Sequence, residues 1–163
     1  MSGFSREDAL FFDIAHEGAQ LRAVGQAAHL LAGLRGLAPR SVVVLATDQV
    51  AAAAARAVAA FAAPLDVPVV VADQLPAYVG ALDVVVVVGD NAGREEDLRG
   101  LTTAADRGAE TILAGPNKGP LLDDAPQAAT VIPALPDTSG ASPLRTCAVV
   151  GAVLLALRQP AEE

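Results

Sequence analysis

The chain has 163 residues, 53% of them hydrophobic and 18% charged, which suits one domain with a single core and excludes intrinsic disorder. Eleven basic against nineteen acidic residues leave a net charge of −8, which argues against a nucleic-acid backbone or an anionic membrane surface as the main partner. A lone cysteine, Cys147, and the lack of a secretory signal pattern at the start point to the cytoplasm.

The opening residues gather Phe4, Phe11 and Phe12 and read as an arm or short helix over residues 1–16 that docks elsewhere, ahead of a domain over 17–158 and a tail over 159–163. A helix is predicted from Glu17 to Arg35 and closed by Pro39. Short β-branched runs then alternate with segments of helical period. The predicted strands are Ser41 to Ala46, Val67 to Val71, Asp83 to Val88, Glu110 to Ala114 and Thr130 to Pro133, and the predicted helices are Asp48 to Ala62, Glu95 to Arg107 and Ser142 to Arg158. The pattern is that of an α/β protein, a three-layer α/β/α sandwich on a five-stranded, mostly parallel sheet. The first three strands are apolar at both parities and call for cover on both faces. With 36 alanines and no tryptophan, that core is made of small and branched aliphatics.

Helix starts carry their own chemistry. Thr47 or Asp48 can cap the alanine-rich helix, and Ser142 before Pro143 is a cap followed by a proline at the first helical position. Within the last helix, the stretch from Cys147 to Leu157 is apolar on every side. Such a helix must be buried all round, by a second subunit, by another domain or by the core itself.

Ligands of an open parallel sheet bind beyond the carboxyl ends of the strands, so the loops that begin at Ala46, Gly89, Gly115 and Ala134 hold whatever chemistry there is. The first of them lacks the glycines of a dinucleotide site, and no Walker A loop is present. Asp48, Asp90 and Lys118 imitate the acids and lysine of a phosphoacceptor domain, but one acid stands where two must hold a magnesium ion. In the loop after the third strand, Arg94 is either the cation of an anion site or the partner of the acids that follow it. Asn91, Gly93 and Lys118 are further candidate ligand-binding residues, beside Thr47 and Asp48. His16 and His29 differ by about 140° around one straight helix, so they form no joint site there.

The succession of these elements, with VVVVVGDNAGREEDL over 84–98, GPLLDDA over 119–125 and PLRTCAVVGAVLLAL over 143–157, resembles the SIS (sugar isomerase) domain. It is similar in particular to the N-terminal half of the two-domain phosphoglucose/phosphomannose isomerase-like proteins of actinobacteria. The resemblance covers the chain from about Glu17 to Leu157. The Ser-x-Ser-Gly-x-Thr-x-Glu loop of that family falls here on Gly89, Asn91, Ala92, Arg94 and Glu96, of which only the glutamate is kept. The resemblance implies binding of a hexose phosphate and assembly as a homodimer or with a second SIS domain. It also implies an isomerase chemistry that moves a proton between C1 and C2 without metal or cofactor, with Glu96 and His16 as the acid/base residues to test. Because the phosphate-binding hydroxyls are replaced, the loop reads as degenerate, and a non-catalytic dimerisation or regulatory module is the alternative.

Overall fold

The computed structural model of the protein describes residues 5–91, 94–136 and 141–161. Helix α1 spans Arg6–Ala27 and passes into a 3₁₀ segment, Ala28–Leu34; β1 (Ser41–Ala46), α2 (Gln49–Phe61), β2 (Val69–Ala72) and β3 (Asp83–Val88) follow. The chain continues through α3 (Glu95–Asp106), β4 (Glu110–Ala114), the single turn α4 (Pro120–Asp123), β5 (Thr130–Val131) and α5 (Pro143–Leu157). All five strands are parallel, in the order β2-β1-β3-β4-β5. The α/β/α sandwich expected from the sequence is present.

Alternation along β1, β3 and β4 divides the core into two layers. Val42, Val44, Val84, Val86, Val88 and Ile112 face α1, α2 and α5. Val43, Leu45, Val85, Val87 and Leu113 face α3 and α4 through Leu101, Ala104 and Leu121. Small residues let the layers close up: a Cβ on Gly100 of α3 would stand 3.0 Å from Leu45 Cδ1. The cover expected for three strands holds in full for β1 and β3, whose residues are all buried. β2 is shorter than expected and half-buried, because it is the edge of the sheet.

The last helix is covered by its own chain. α5 lies on β3 between α1 and α2, with Val149 and Val153 at 0% exposure. Only Leu144 and Leu155 among its large apolar side chains are substantially exposed, so its core placement accounts for most of its apolar surface. The first helix also differs from expectation, running unbroken from Arg6 instead of starting at Glu17. The cause is local: Ser5 Oγ accepts from Asp8 N and Asp8 returns a bond to Ser5 N, a capping box. No helix among the described residues is long and apolar enough to cross a membrane.

At the end of the sheet away from the strand-end loops, Asp83 is buried and accepts from Arg40, from Ser41 Oγ at 2.8 Å and from Gly80 N at 2.9 Å. Burial alone would raise its pKa, but these donors outweigh it and hold the carboxyl below its ordinary 3.8. The stability this gives is present above 3.8 and lost as the pH falls from there through the depressed folded value. Asp83→Asn is therefore expected to flatten the fall of melting temperature below pH 3.8 while lowering it at pH 7, and acid titration followed by circular dichroism measures both.

Candidate functional site

The strand order reverses direction between β1 and β3, and it is beyond their carboxyl ends that the crevice of such a sheet takes its ligand. Two loops line it, and side chains of the first staple the second. Asp48 caps α2 by accepting from Ala51 N at 2.8 Å, which assigns the cap to Asp48 instead of Thr47. Its other oxygen accepts from Asp90 N at 3.0 Å, while Thr47 Oγ1 accepts from Asn91 N at 3.3 Å. Gly89 permits this approach: its φ is +134°, and a Cβ there would collide with Thr47 Oγ1 and stand 2.7 Å from Asp48 Oδ2. The serine of the resembling loop cannot be accommodated at this backbone geometry.

Asp90 crosses the crevice. Its Oδ2 accepts from Ser142 N at 2.8 Å, just before α5, where Ser142 Oγ in turn accepts from Arg145 N at 3.4 Å. Glu17 of α1 accepts from Leu144 N at 3.1 Å. Helix α5 therefore has its first free N–H groups taken by side chains of this chain. Burial raises the pKa of Asp90, against the pull of the Ser142 N–H and of Arg145.

Arg145 is a buried charge at the carboxyl ends of β4 and β5. It is 3% exposed, and its two terminal nitrogens donate to the carbonyls of Ala114, Gly115 and Ile132, tying together the ends of β4 and β5. Its Nε has no hydrogen-bond partner among the described residues, and burial lowers its pKa with Asp90 opposing. Asp90 stands out in the sequence as an acid of the loop after the third strand, and Pro143 and Arg145 carry part of the family resemblance, yet nothing in the sequence ranks Arg145 or Glu17 as site residues; their side-chain partners lie 13 to 127 positions away. Only a sheet that brings those segments together reveals them.

The remaining candidates fall in three groups. Arg94 sits before the first turn of α3, with Nε 3.7 Å from Glu96 and 3.5 Å from Asp97, and reaches Thr47 O at 3.5 Å. Asp97 is buried, which raises its pKa against the opposing charge of Arg94. Glu96 is largely exposed, and His16, on α1, meets Gln20 at 3.2 Å; no contact among the described residues joins His16 to Glu96. Lys118 is exposed in the loop after β4, and Gly93 lies outside the described residues. Among the described residues no group of His, Cys, Asp and Glu is placed to hold a metal ion.

A crevice of this kind can present backbone N–H groups and one or two arginines to an anion, but its own carboxylates already occupy several of the donors. No protein-family model matches the chain, and no curated protein does. Among solved structures it is similar to the sugar isomerase domain of the RpiR transcription factor from Sphaerobacter thermophilus, with a TM-score of 0.59 and 18% identity over 91% of this chain and 86% of that one. At that identity the likeness is one of architecture: the chain has the fold of an SIS domain.

Proposed function

We propose that this chain is a non-catalytic, ligand-sensing SIS module that receives a phosphorylated sugar at the crevice between β1 and β3. The observation that carries the reading is the bond from Ser142 N to Asp90, which sets a carboxylate across the site above the buried Arg145. The SIS fold supports a sugar phosphate as ligand, and the cations at the crevice supply the charge for it. The regulatory side is supported by the parentage of the neighbouring structure, a transcription factor. In this reading the domain itself does not touch nucleic acid, its net charge of −8 being the support, and it works in the cytoplasm with no cofactor.

A descent from phosphoglucose/phosphomannose isomerases has one residue in its favour, Glu96, but that carboxylate is paired with Arg94, and no hydrogen bond or ion pair among the described residues joins it to His16. Thermal shift with a panel of hexose and hexosamine phosphates tests the binding, and a coupled assay with mannose 6-phosphate and fructose 6-phosphate tests the chemistry. The expected result is a rise in melting temperature with at least one ester and no interconversion of the two. Turnover by the unaltered chain that disappears in Glu96→Gln overturns the non-catalytic reading, and no shift with any ester at millimolar concentration overturns the ligand.

A further inference from the structure

At the end of the sheet away from the crevice, the turns that lead into β1 and β2 meet the last turn of α5 around a half-open groove. Its volume of about 380 Å³ lies within the range of small-ligand sites. The walls are apolar: Leu154 is buried, Leu65, Val67 and Leu157 are half-buried, and Leu37 is exposed. The mouth carries one charge of each sign. Arg158 Nε donates to Asp66 Oδ2 at 2.7 Å, and Arg158 Nη2 donates to the carbonyl of Pro64 at 3.5 Å. Arg158 Nη1 and Asp66 Oδ1 have no hydrogen bond among the described residues, and the two side chains are 48% and 74% exposed. The pair therefore offers an unused donor and an unused acceptor at the rim of an apolar hollow.

We propose that this groove binds a free apolar α-amino acid, of the size of leucine or phenylalanine, as its zwitterion. The α-carboxylate accepts from Arg158 Nη1, the α-ammonium donates to Asp66 Oδ1, and the side chain lies against Leu37, Leu65 and Leu154. Electrostatics select this class of ligand. Because the charges of the pair sum to zero, a lone carboxylate drawn to Arg158 is repelled by Asp66, and a lone amine meets the reverse. A molecule with both charges on one carbon gains from each side chain, and its apolar body takes the place of water against the leucines. The hydrocarbon stem of Arg158 continues the apolar wall beneath the charges. Neither member of the pair has to leave the other, so no contact of the fold is given up on binding. A segment within another protein chain has neither α-charge and leaves the pair unanswered. The groove lies at the opposite end of the strands from the crevice, so its failure to bind leaves the sugar-phosphate reading untouched.

Calorimetry and thermal shift on the whole chain with L-leucine and L-phenylalanine test it. The expected Kd is about 1 mM or tighter, modest because both charges keep a face in water. Leucinamide, which lacks the carboxylate, and N-acetyl-leucine, which lacks the ammonium, are each expected to bind about tenfold more weakly. Asp66→Asn and Arg158→Gln are each expected to weaken leucine about tenfold with the melting temperature nearly unchanged, because an exposed pair adds little to stability. Ala38→Trp, at an exposed position on the groove wall, is expected to fill the hollow and abolish binding while circular dichroism stays native. Neither heat nor a shift with either amino acid at about 20 mM overturns the site. Equal affinity for leucinamide or N-acetyl-leucine overturns the zwitterion, and binding that persists in Ala38→Trp overturns the groove as its place. An assembly of the unaltered chain that Ala38→Trp reduces to 16.4 kDa in light scattering, with no amino acid bound, gives the groove to a partner chain and overturns the proposal as well.

Discussion

Val153→Asp is expected to leave no folded protein at 25 °C. Val153 is at 0% exposure on the inner side of α5, in the layer built with Val42, Val44, Val84 and Val86. The change removes about 2 kcal/mol of apolar burial and sets an unpaired carboxylate among hydrocarbon, which costs several kcal/mol more. Together these reach the 5–15 kcal/mol that holds a domain of this kind folded. Val153 is a sharper probe than its neighbour Leu154, which borders a half-open groove of about 380 Å³ with Leu37, Leu65 and Leu157 and could turn a carboxylate toward water. Val153→Ala, by contrast, is expected to keep the fold and lose about 2 kcal/mol in urea unfolding. A soluble Val153→Asp protein with native circular dichroism and an unshifted melting temperature would contradict the placement of α5.

Helix α5 also shows what a sequence can and cannot convey. Its cap and its proline are local signals, and both are where the sequence puts them: Ser142 caps, and Pro143 is the first helical residue. Its apolar surface on all sides says only that it must be covered. Whether α1 and α2 do so or a second subunit does depends on the layer in which the helix lies, which no local pattern encodes. The valine runs of β1 and β3 are legible for the opposite reason. Burial on both faces leaves a continuous apolar string that a half-exposed strand does not produce. β2 has the same valines at the edge of the sheet, where composition alone cannot distinguish it from a central strand. At the start of α1 two local signals compete: Ser5 and Asp8 have capping-box spacing, while the clustered aromatics resemble a separate arm, and the cap prevails.

The crevice is legible in its location and not in its wiring. Parallel topology directs attention to the loops after β1 and β3, and Thr47, Asp48, Asn91 and Arg94 are indeed brought together there. The pairing of Arg94 with Glu96 and Asp97 follows from their closeness at the helix start and is legible in the sequence. The bridge from Asp90 to Ser142 and the clamp of Arg145 on three carbonyls join segments far apart in the chain. Residue types hint at neither, since an arginine among apolar residues reads equally as a surface charge. They nevertheless couple charges across the strand ends, since Asp90 and the buried Arg145 guanidinium each shift the other's titration.

Asp90→Asn is accordingly expected to tighten the binding of a hexose phosphate at pH 7 by about tenfold or more. The amide keeps an oxygen for Ser142 N, so the bond across the crevice and the start of α5 survive. What disappears is one negative charge beside the ligand, leaving Arg145 without its opposing carboxylate; at an effective dielectric constant near 20, a unit charge several ångströms away is worth a few kcal/mol before screening. Tenfold corresponds to about 1.4 kcal/mol, well within that range. Arg94→Ala should act the other way, weakening the same ligand by about 1.5–3 kcal/mol, and should lower stability as well, because the buried Asp97 loses the charge that opposes it. The raised pKa of Asp90 adds a pH signature. Protonation removes the same charge that the substitution removes, so the unaltered protein should bind an anion more tightly as the pH falls toward the folded pKa of Asp90, above 3.8, and Asp90→Asn should lose that dependence. A phosphate ester gains its second charge near pH 6 and would blur the comparison, so a hexose sulfate, whose charge is constant, is the better titrant. Calorimetry with the sulfate at several pH values measures both effects. Equal affinity of the unaltered and Asp90→Asn proteins across that range would show that the Asp90 carboxylate does not face the ligand, and would remove the observation on which the non-catalytic reading rests.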